Sequence, residues 1–223
     1  MSLEIQSLNK YFHQGDTKIE VLKNLQVKIN SSEIVSIIGQ SGSGKSTLLS
    51  IVAGLEKPNV GKVILNGSDI VPMSEKEITQ FRAQNLSLVF QQYHLVAHLT
   101  ALENVSLPLE ILKKPQYKEK AKALLEELAL SHRLNHFPNQ LSGGECQRVA
   151  IARSLVTEPK ILLADEPSGN LDIETGHKVM EVFLSLAKKY KATTIIVTHN
   201  EQLAKKCQRQ FRLKSGELVE STL

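Results

Sequence analysis

The stretch Gly39-Gln40-Ser41-Gly42-Ser43-Gly44-Lys45-Ser46 constrains this chain more than any other. It fits the pattern G-x-x-x-x-G-K-[ST]. It also follows an apolar run, Ile34-Val35-Ser36-Ile37-Ile38, and precedes Thr47-Leu48-Leu49-Ser50-Ile51. Strand, glycine-rich turn and helix in that order form a cradle for phosphate. The glycines let backbone N–H groups turn inward, and the helix start aims its positive dipole end at the same anion. The turn predicts phosphate contacts from Gly39, Gln40, Ser41, Gly42, Ser43, Gly44, Lys45, Ser46 and Thr47. Lys45 is expected to reach the β- and γ-phosphates and Ser46 to ligate Mg²⁺.

The rest of the chain must supply a sheet for that turn. Of 223 residues, 41% are apolar and 22% charged, which suits a sizeable core and excludes a disordered chain. Up to about residue 70, short β-rich runs dominate: Leu3 to Leu8, Glu20 to Ile29, Ile34 to Ile38 and Lys62 to Leu65. From Ser74 to Leu155 the texture is helical. Ser74 with Glu77 and Thr100 with Glu103 fit capping boxes. Ala121, Leu124, Leu125 and Leu128 fall on one helical face. From Lys160 onward, Ile161-Leu162-Leu163-Ala164 and Thr194-Ile195-Ile196-Val197-Thr198 are apolar runs of the kind a parallel sheet buries on both faces. Met180, Phe183, Leu184 and Ala187 repeat at helical spacing between them. A βαβ unit follows, and with Ile34 to Ile38 it implies an α/β core. The helical middle is expected as an insertion beside that core.

Two further segments carry chemistry. Lys160-Ile161-Leu162-Leu163-Ala164-Asp165-Glu166-Pro167 puts two carboxylates at the exit of a buried strand, where open α/β sheets bind ligands. Asp165 can hold magnesium through water, and Glu166 can orient and deprotonate an attacking water. Leu141-Ser142-Gly143-Gly144-Glu145-Cys146-Gln147 is a Ser/Gly turn at a helix start, and so a second anion cradle. Two readings of Cys146 stand open: the helix dipole at that turn favours a lowered, reactive thiol, whereas the charge of Glu145 opposes it and a side chain turned into the lobe would be a small, unreactive apolar residue.

Together, the LSGG turn, the phosphate loop and the Asp-Glu-Pro strand end resemble the nucleotide-binding domain of ATP-binding cassette (ABC) proteins, in order and spacing and over essentially the whole chain. The resemblance implies an α/β fold, a P-loop NTPase core with an antiparallel β lobe and an inserted α-helical lobe at about 93–153, in a single domain spanning 1–223. It implies an ATPase that uses ATP and Mg²⁺. It also implies a head-to-tail homodimer in which Ser142, Gly143 and Gly144 of one copy cap the ATP of the other. Gln91 matches the glutamine that contacts Mg²⁺ and the attacking water, with Gln92 next in register. His199 matches the histidine at the γ-phosphate, and Asp172 the acid at the dimer seam. Phe12, with Tyr11 beside it as the alternative, matches the ring that stacks on adenine. The catalytic set is then Glu166, His199, Gln91 and Lys45, and the metal set Ser46, Gln91 and Asp165. The segment Ser168-Gly169-Asn170-Leu171-Asp172 departs from the commoner Ser-Ala-Leu-Asp.

Within that family, Phe90-Gln91-Gln92, the segment Leu99 to Val105 and Ser168 to Asp172 resemble the LolD, YbbA, MacB and FtsE group, and the tail from Glu201 to Cys207 the LolD and YbbA members. Those ATPases work with permeases that extract lipoproteins or expel amphipathic molecules. The resemblance implies an integral membrane permease as partner, docking beside Gln91 on the segment from Tyr93 to Leu99. It implies a place on the cytoplasmic face of the bacterial inner membrane. An FtsE-like regulatory ATPase, which switches a membrane partner instead of driving transport, is the alternative.

Charge and cysteine content agree with this picture. The balance is +4, from 27 Lys and Arg against 23 Asp and Glu. A nucleic-acid binder carries a sharper basic stripe, so no nucleic-acid partner is expected. Two cysteines without metal-type spacing exclude a disulfide framework. Met1 to Gln6 has an early acid and no apolar core, so no signal peptide is expected there.

Overall fold

The computed structural model describes residues 2–221. Its elements run β1 (Leu3–Gln14), β2 (Thr17–Ile29), β3 (Ile34–Ile38), α1 (Lys45–Val52), β4 (Val60–Leu65), β5 (Ser68–Asp69), α2 (Glu75–Asn85) and β6 (Leu86–Phe90). They continue with α3 (Ala101–Ile111), α4 (Tyr117–Glu127), α5 (Gly143–Leu155), β7 (Ile161–Asp165), α6 (Ile173–Lys189), β8 (Thr193–Thr198), α7 (Glu201–Ala204), β9 (Arg209–Lys214) and β10 (Glu217–Ser221).

The strands form two sheets. One is antiparallel, in the order β2-β1-β4-β5; the other has the order β10-β9-β3-β8-β7-β6. Strands β9, β3, β8, β7 and β6 run parallel, and β10 closes that edge as an antiparallel hairpin partner. Alternation along the parallel strands sorts the core into two layers. Ile161, Leu163, Ile195 and Val197 join α1 and the antiparallel sheet. Leu162, Ala164 and Ile196 join helices α3 to α6. Both faces of the central strands β3, β7 and β8 are therefore buried, as the continuous apolar runs require.

Local chemistry sets the helix starts. Ser74 and Thr100 each form the capping box that their spacing predicts. Ser142 forms a third one, with Glu145, which was legible from the same pattern. Ala121, Leu124, Leu125 and Leu128 are all buried, as their spacing predicts. Strand β6 and the β9–β10 hairpin were not expected. The run Leu86–Phe90 lies inside the stretch read as helical, yet it forms the edge strand β6 against β7. Its length of five residues suits a strand better than a helix. The β9–β10 hairpin turns through Ser215 and Gly216, both at positive φ, a turn signal between short alternating runs. Strand β1 also runs on to Gln14, past the expected end at Leu8, because bulges shift its register there and break the alternation.

Candidate active site

Register in the parallel sheet brings the predicted residues together. Ile38 stands opposite Thr198, Val197 opposite Asp165, and Asp165 opposite Phe90. Thus β3, β8, β7 and β6 end level with one another. The phosphate loop, His199, Glu166 and Gln91 all leave the same carboxyl edge, where open parallel sheets bind their ligands. A cavity of about 650 Å³ opens there. Its walls include Gly39, Gln40, Ser41, Gly42, Gly44, Lys45, Ser46, Thr47, Gln91, Asp165, Glu166 and His199. Val21 of β2 lines it as well, a residue that no motif marks.

The phosphate loop is built as its glycines require. Gly44, with φ 99, stands just ahead of α1, and a Cβ there would come within 2.9 Å of the Val21 side chain. A side chain would have both backbone strain and a clash. Lys45 is buried, and its Nζ donates to the carbonyl oxygens of Gly39 and Gln40, each at 2.9 Å. These bonds hold the Gly39 and Gln40 carbonyls to the ammonium, and the Ser43 N–H also donates to Gln40 O, at 3.2 Å. Ser43 keeps a buried hydroxyl with no partner within the described residues.

Glu166 is held in the left-handed region, φ 47, with its N–H bonded to Val197 O at 2.9 Å. A non-glycine residue there costs of order 1–3 kcal/mol and persists only when neighbours over-determine it. Glu166 Oε2 lies 2.9 Å from His199 Nδ1 and accepts from the Thr198 hydroxyl and the His199 N–H, each at 3.3 Å. A carboxylate at Nδ1 fixes the ring's orientation and leaves Nε2 for another partner. Beside it, burial pushes the Asp165 carboxyl up, and the Glu166 charge adds to this. The Ser46 hydroxyl and the Lys45 ammonium work against both.

Among the described residues no group of three or more His, Cys, Asp or Glu could cage a metal. The oxygens available are the Asp165 carboxylate, the Ser46 hydroxyl and the Gln91 amide. Such a sparse, hard set fits Mg²⁺, which keeps waters and relies on substrate phosphates.

The other predicted residues stand outside this cavity. Ser142 caps α5, accepting from the Glu145 N–H at 3.3 Å, while Glu145 Oε2 accepts from the Ser142 N–H at 2.8 Å. That backbone bond and the Arg133 guanidinium hold the Glu145 carboxyl down at about 2, against the cost of its burial. Gly143 and Gly144 form the first turn of α5; a Cβ on Gly144 would sit 2.6 Å from the Thr175 methyl. Asp172 is the N-cap of α6, accepting from the Thr175 N–H at 3.0 Å. Phe12 and its cross-strand partner Ile19 are each 42% exposed, on the β1–β2 hairpin that also carries Val21. Tyr11, the alternative, is half-buried, with Lys18 Nζ 4.2 Å from its ring centroid. Gln92 is exposed and does not line the cavity.

Of the two readings of Cys146, the structure favours the buried one. The residue is 6% exposed, and its Sγ donates to Pro138 O at 3.5 Å. Burial pushes the thiol up, and the Glu145 charge pushes it further. Maleimide labelling with peptide mapping is expected to find Cys146 unreactive in the folded chain, with or without ATP, and reactive once denaturant unfolds it. Fast labelling of the native protein would contradict this.

Sequence reading also missed Arg153. Its guanidinium donates to His94 O at 2.7 Å and to Tyr93 O at 2.8 Å, tying the backbone after Gln91 to α5. An arginine on a helix whose other residues are mostly buried was the available signal.

Comparison with known proteins gives the family. The family described as ABC transporter matches residues 22–169. The lipoprotein-releasing system ATP-binding protein LolD of Shewanella sp. strain MR-4 is 44% identical over 218 residues, covering 97% of this chain and 94% of that protein. An ABC transporter ATP-binding protein of Methanocaldococcus jannaschii is 46% identical over 220 residues, with 98% of each covered. Among solved structures, a dimeric post-hydrolysis state of the ATP-binding cassette MJ0796 bound to ADP and Pi superposes with a TM-score of 0.90. It shares 40% identity and covers 99% of this chain and 98% of its own. The chain belongs to the ABC transporter family, as one of its ATP-binding, ATP-hydrolysing subunits.

Proposed function

We propose that this chain powers a membrane permease by binding and hydrolysing ATP between two copies of itself. The observation that carries this is the level ending of four parallel strands, which gathers Lys45, Asp165, Glu166, His199 and Gln91 around one cavity while the capped Ser142 turn stays outside it. Lys45 and the loop N–H groups bind the β- and γ-phosphates; Ser46, Asp165 and Gln91 would hold Mg²⁺, which would supply positive charge to the phosphate oxygens. Glu166 takes the proton of the attacking water. His199, oriented by Glu166, meets the γ-phosphate through Nε2. Ser142, Gly143 and Gly144 close over the ATP of the second copy, with Asp172 at the seam. Phe12, exposed on the hairpin that passes the cavity, stacks on adenine. Dimeric cassette structures at 40% identity support the two-copy site.

The partner reading rests on the LolD relatives and on the loop after Gln91. No helix among the described residues is long and apolar enough to cross a membrane. The chain then works on the cytoplasmic face of the inner membrane, and the cargo is a lipoprotein or another amphipathic molecule. The loop from Tyr93 to Leu99 is rigidly mounted. Besides the Arg153 bonds, the fully buried Asn104 accepts from the Val96 N–H and donates to the oxygens of Val96 and Leu99. Leu95 turns into the core, whereas Ala97 and His98 are exposed.

Co-purification of the native protein with its membrane partner tests the reading. An aspartate in place of the exposed Ala97 should weaken that complex and transport several-fold while basal ATP hydrolysis stays near normal. A complex that forms unaltered, with no permease cross-linked to this loop, would reject the docking site.

A further inference from the structure

Gln91 and Asn170 hold each other through a pair of hydrogen bonds. Asn170 Nδ2 donates to the main-chain oxygen of Gln91 at 3.0 Å, and Gln91 Nε2 donates to Asn170 Oδ1 at 3.0 Å. The first bond dictates the second. A main-chain carbonyl can only accept, so the Asn170 amide must turn its NH₂ toward it. Its oxygen is then left facing the Gln91 side chain, where only an NH₂ group can meet it. The Gln91 amide therefore has one allowed orientation, with Oε1 as its free end. Among the described residues no group donates to Oε1. Gly169 makes the approach possible: a Cβ there would sit 2.7 Å from Gln91 Nε2.

We propose that Asn170 is a positioning residue that sets which end of the Gln91 amide faces the phosphate cavity. The inference rests on the reading of Gln91 as a ligand of the nucleotide's metal ion. The two ends of an amide are close in size and opposite in polarity. A cation accepts the oxygen and is repelled by the NH₂ group. An unrestrained glutamine presents both ends and loses side-chain freedom when the ion fixes one. Asn170 settles the choice in advance, as residues behind a ligand commonly do for metal sites. The departure of this segment from Ser-Ala-Leu-Asp is then functional: Gly169 gives the space, and Asn170 supplies both a donor and an acceptor.

The test uses the full chain carrying Glu166→Gln, loaded with ATP, with Mn²⁺ as the probe and the magnetic-resonance signal of the bound ion as the readout. Asn170→Leu, of similar size but without polar atoms, should raise the half-saturating Mn²⁺ concentration by about tenfold. ATP affinity measured in chelator should not change. Gln91→Ala should raise it at least as much, and the double variant no further, since both changes remove one interaction. If Gln91→Ala weakens Mn²⁺ binding and Asn170→Leu does not, the positioning role is overturned while the ligand role stands. If neither variant changes Mn²⁺ binding, the ligand role fails and this inference fails with it. Losses that add in the double variant, or a fall in metal-free ATP affinity in Asn170→Leu, would also overturn it.

Discussion

Replacing Glu166 with glutamine will leave ATP binding intact and lower turnover by about 10²- to 10⁴-fold, the usual contribution of a positioned general base. The carboxylate lies 2.9 Å from His199 Nδ1 at the mouth of the strand edge. An amide has the same size but cannot take a proton from water. Its oxygen can still accept from His199 and Thr198, so the geometry should hold. Phosphate release measures the rate, and ATP binding in the same sample shows that the site is intact. With hydrolysis blocked, ATP should accumulate between two copies, which size-exclusion chromatography with and without ATP will read as a dimer. Turnover within a few-fold of the parent would remove Glu166 from the base role. A variant that stays monomeric with ATP, both alone and beside its permease, would sink the shared-site reading.

The second large effect is expected at Lys45. Alanine there removes the only buried cation of the cavity wall among the described residues and frees the Gly39 and Gln40 carbonyls that it holds. Loss of one preorganised charge from a phosphate clamp costs about 10²–10³-fold in rate. ATP hydrolysis should fall by at least that much, and transport with it. Thermal stability should change far less, because Gln40 is exposed and water can replace the ammonium at its carbonyl. That split between activity and melting temperature separates a phosphate ligand from a structural lysine. Near-normal turnover would mean that the phosphate loop has been misread.

Much of this was legible in the sequence because the informative signals were local. A capping box is closed by residues three apart, and the Ser74–Glu77 and Thr100–Glu103 pairs both form. Runs such as Ile161 to Ala164 have no polar face, so only a doubly covered sheet accommodates them. The phosphate loop and the acids after β7 carry their chemistry within a few residues. What escaped depends on contacts distant in the chain. Asn170 reaches back 79 positions to Gln91, and Arg153 reaches back about 60 to Tyr93 and His94. Val21 lines the cavity only because β2 passes over it. For Cys146 the local rules left the outcome open, since a helix start lowers a thiol's pKa and the Glu145 charge raises it; burial against Pro138 adds to the rise. Strand β6 was lost for a different reason, since five residues between two helices, all but Ser87 apolar, are too few to show a period of their own.

The level ending of β3, β8, β7 and β6 also makes the chain's tolerance of length change uneven. Along a strand, one inserted residue advances everything beyond it by about 3.3 Å and exchanges the two faces. A single insertion inside β8 would lift His199 past Glu166 and exchange the two apolar layers at once. The hairpin tip near Gly15 and the connection between α3 and α4 carry no such constraint, because nothing at the cavity is measured from them. Evolution and protein engineers alike can therefore lengthen this molecule freely at its periphery, while its four central strands behave as a ruler whose graduations cannot be moved one at a time.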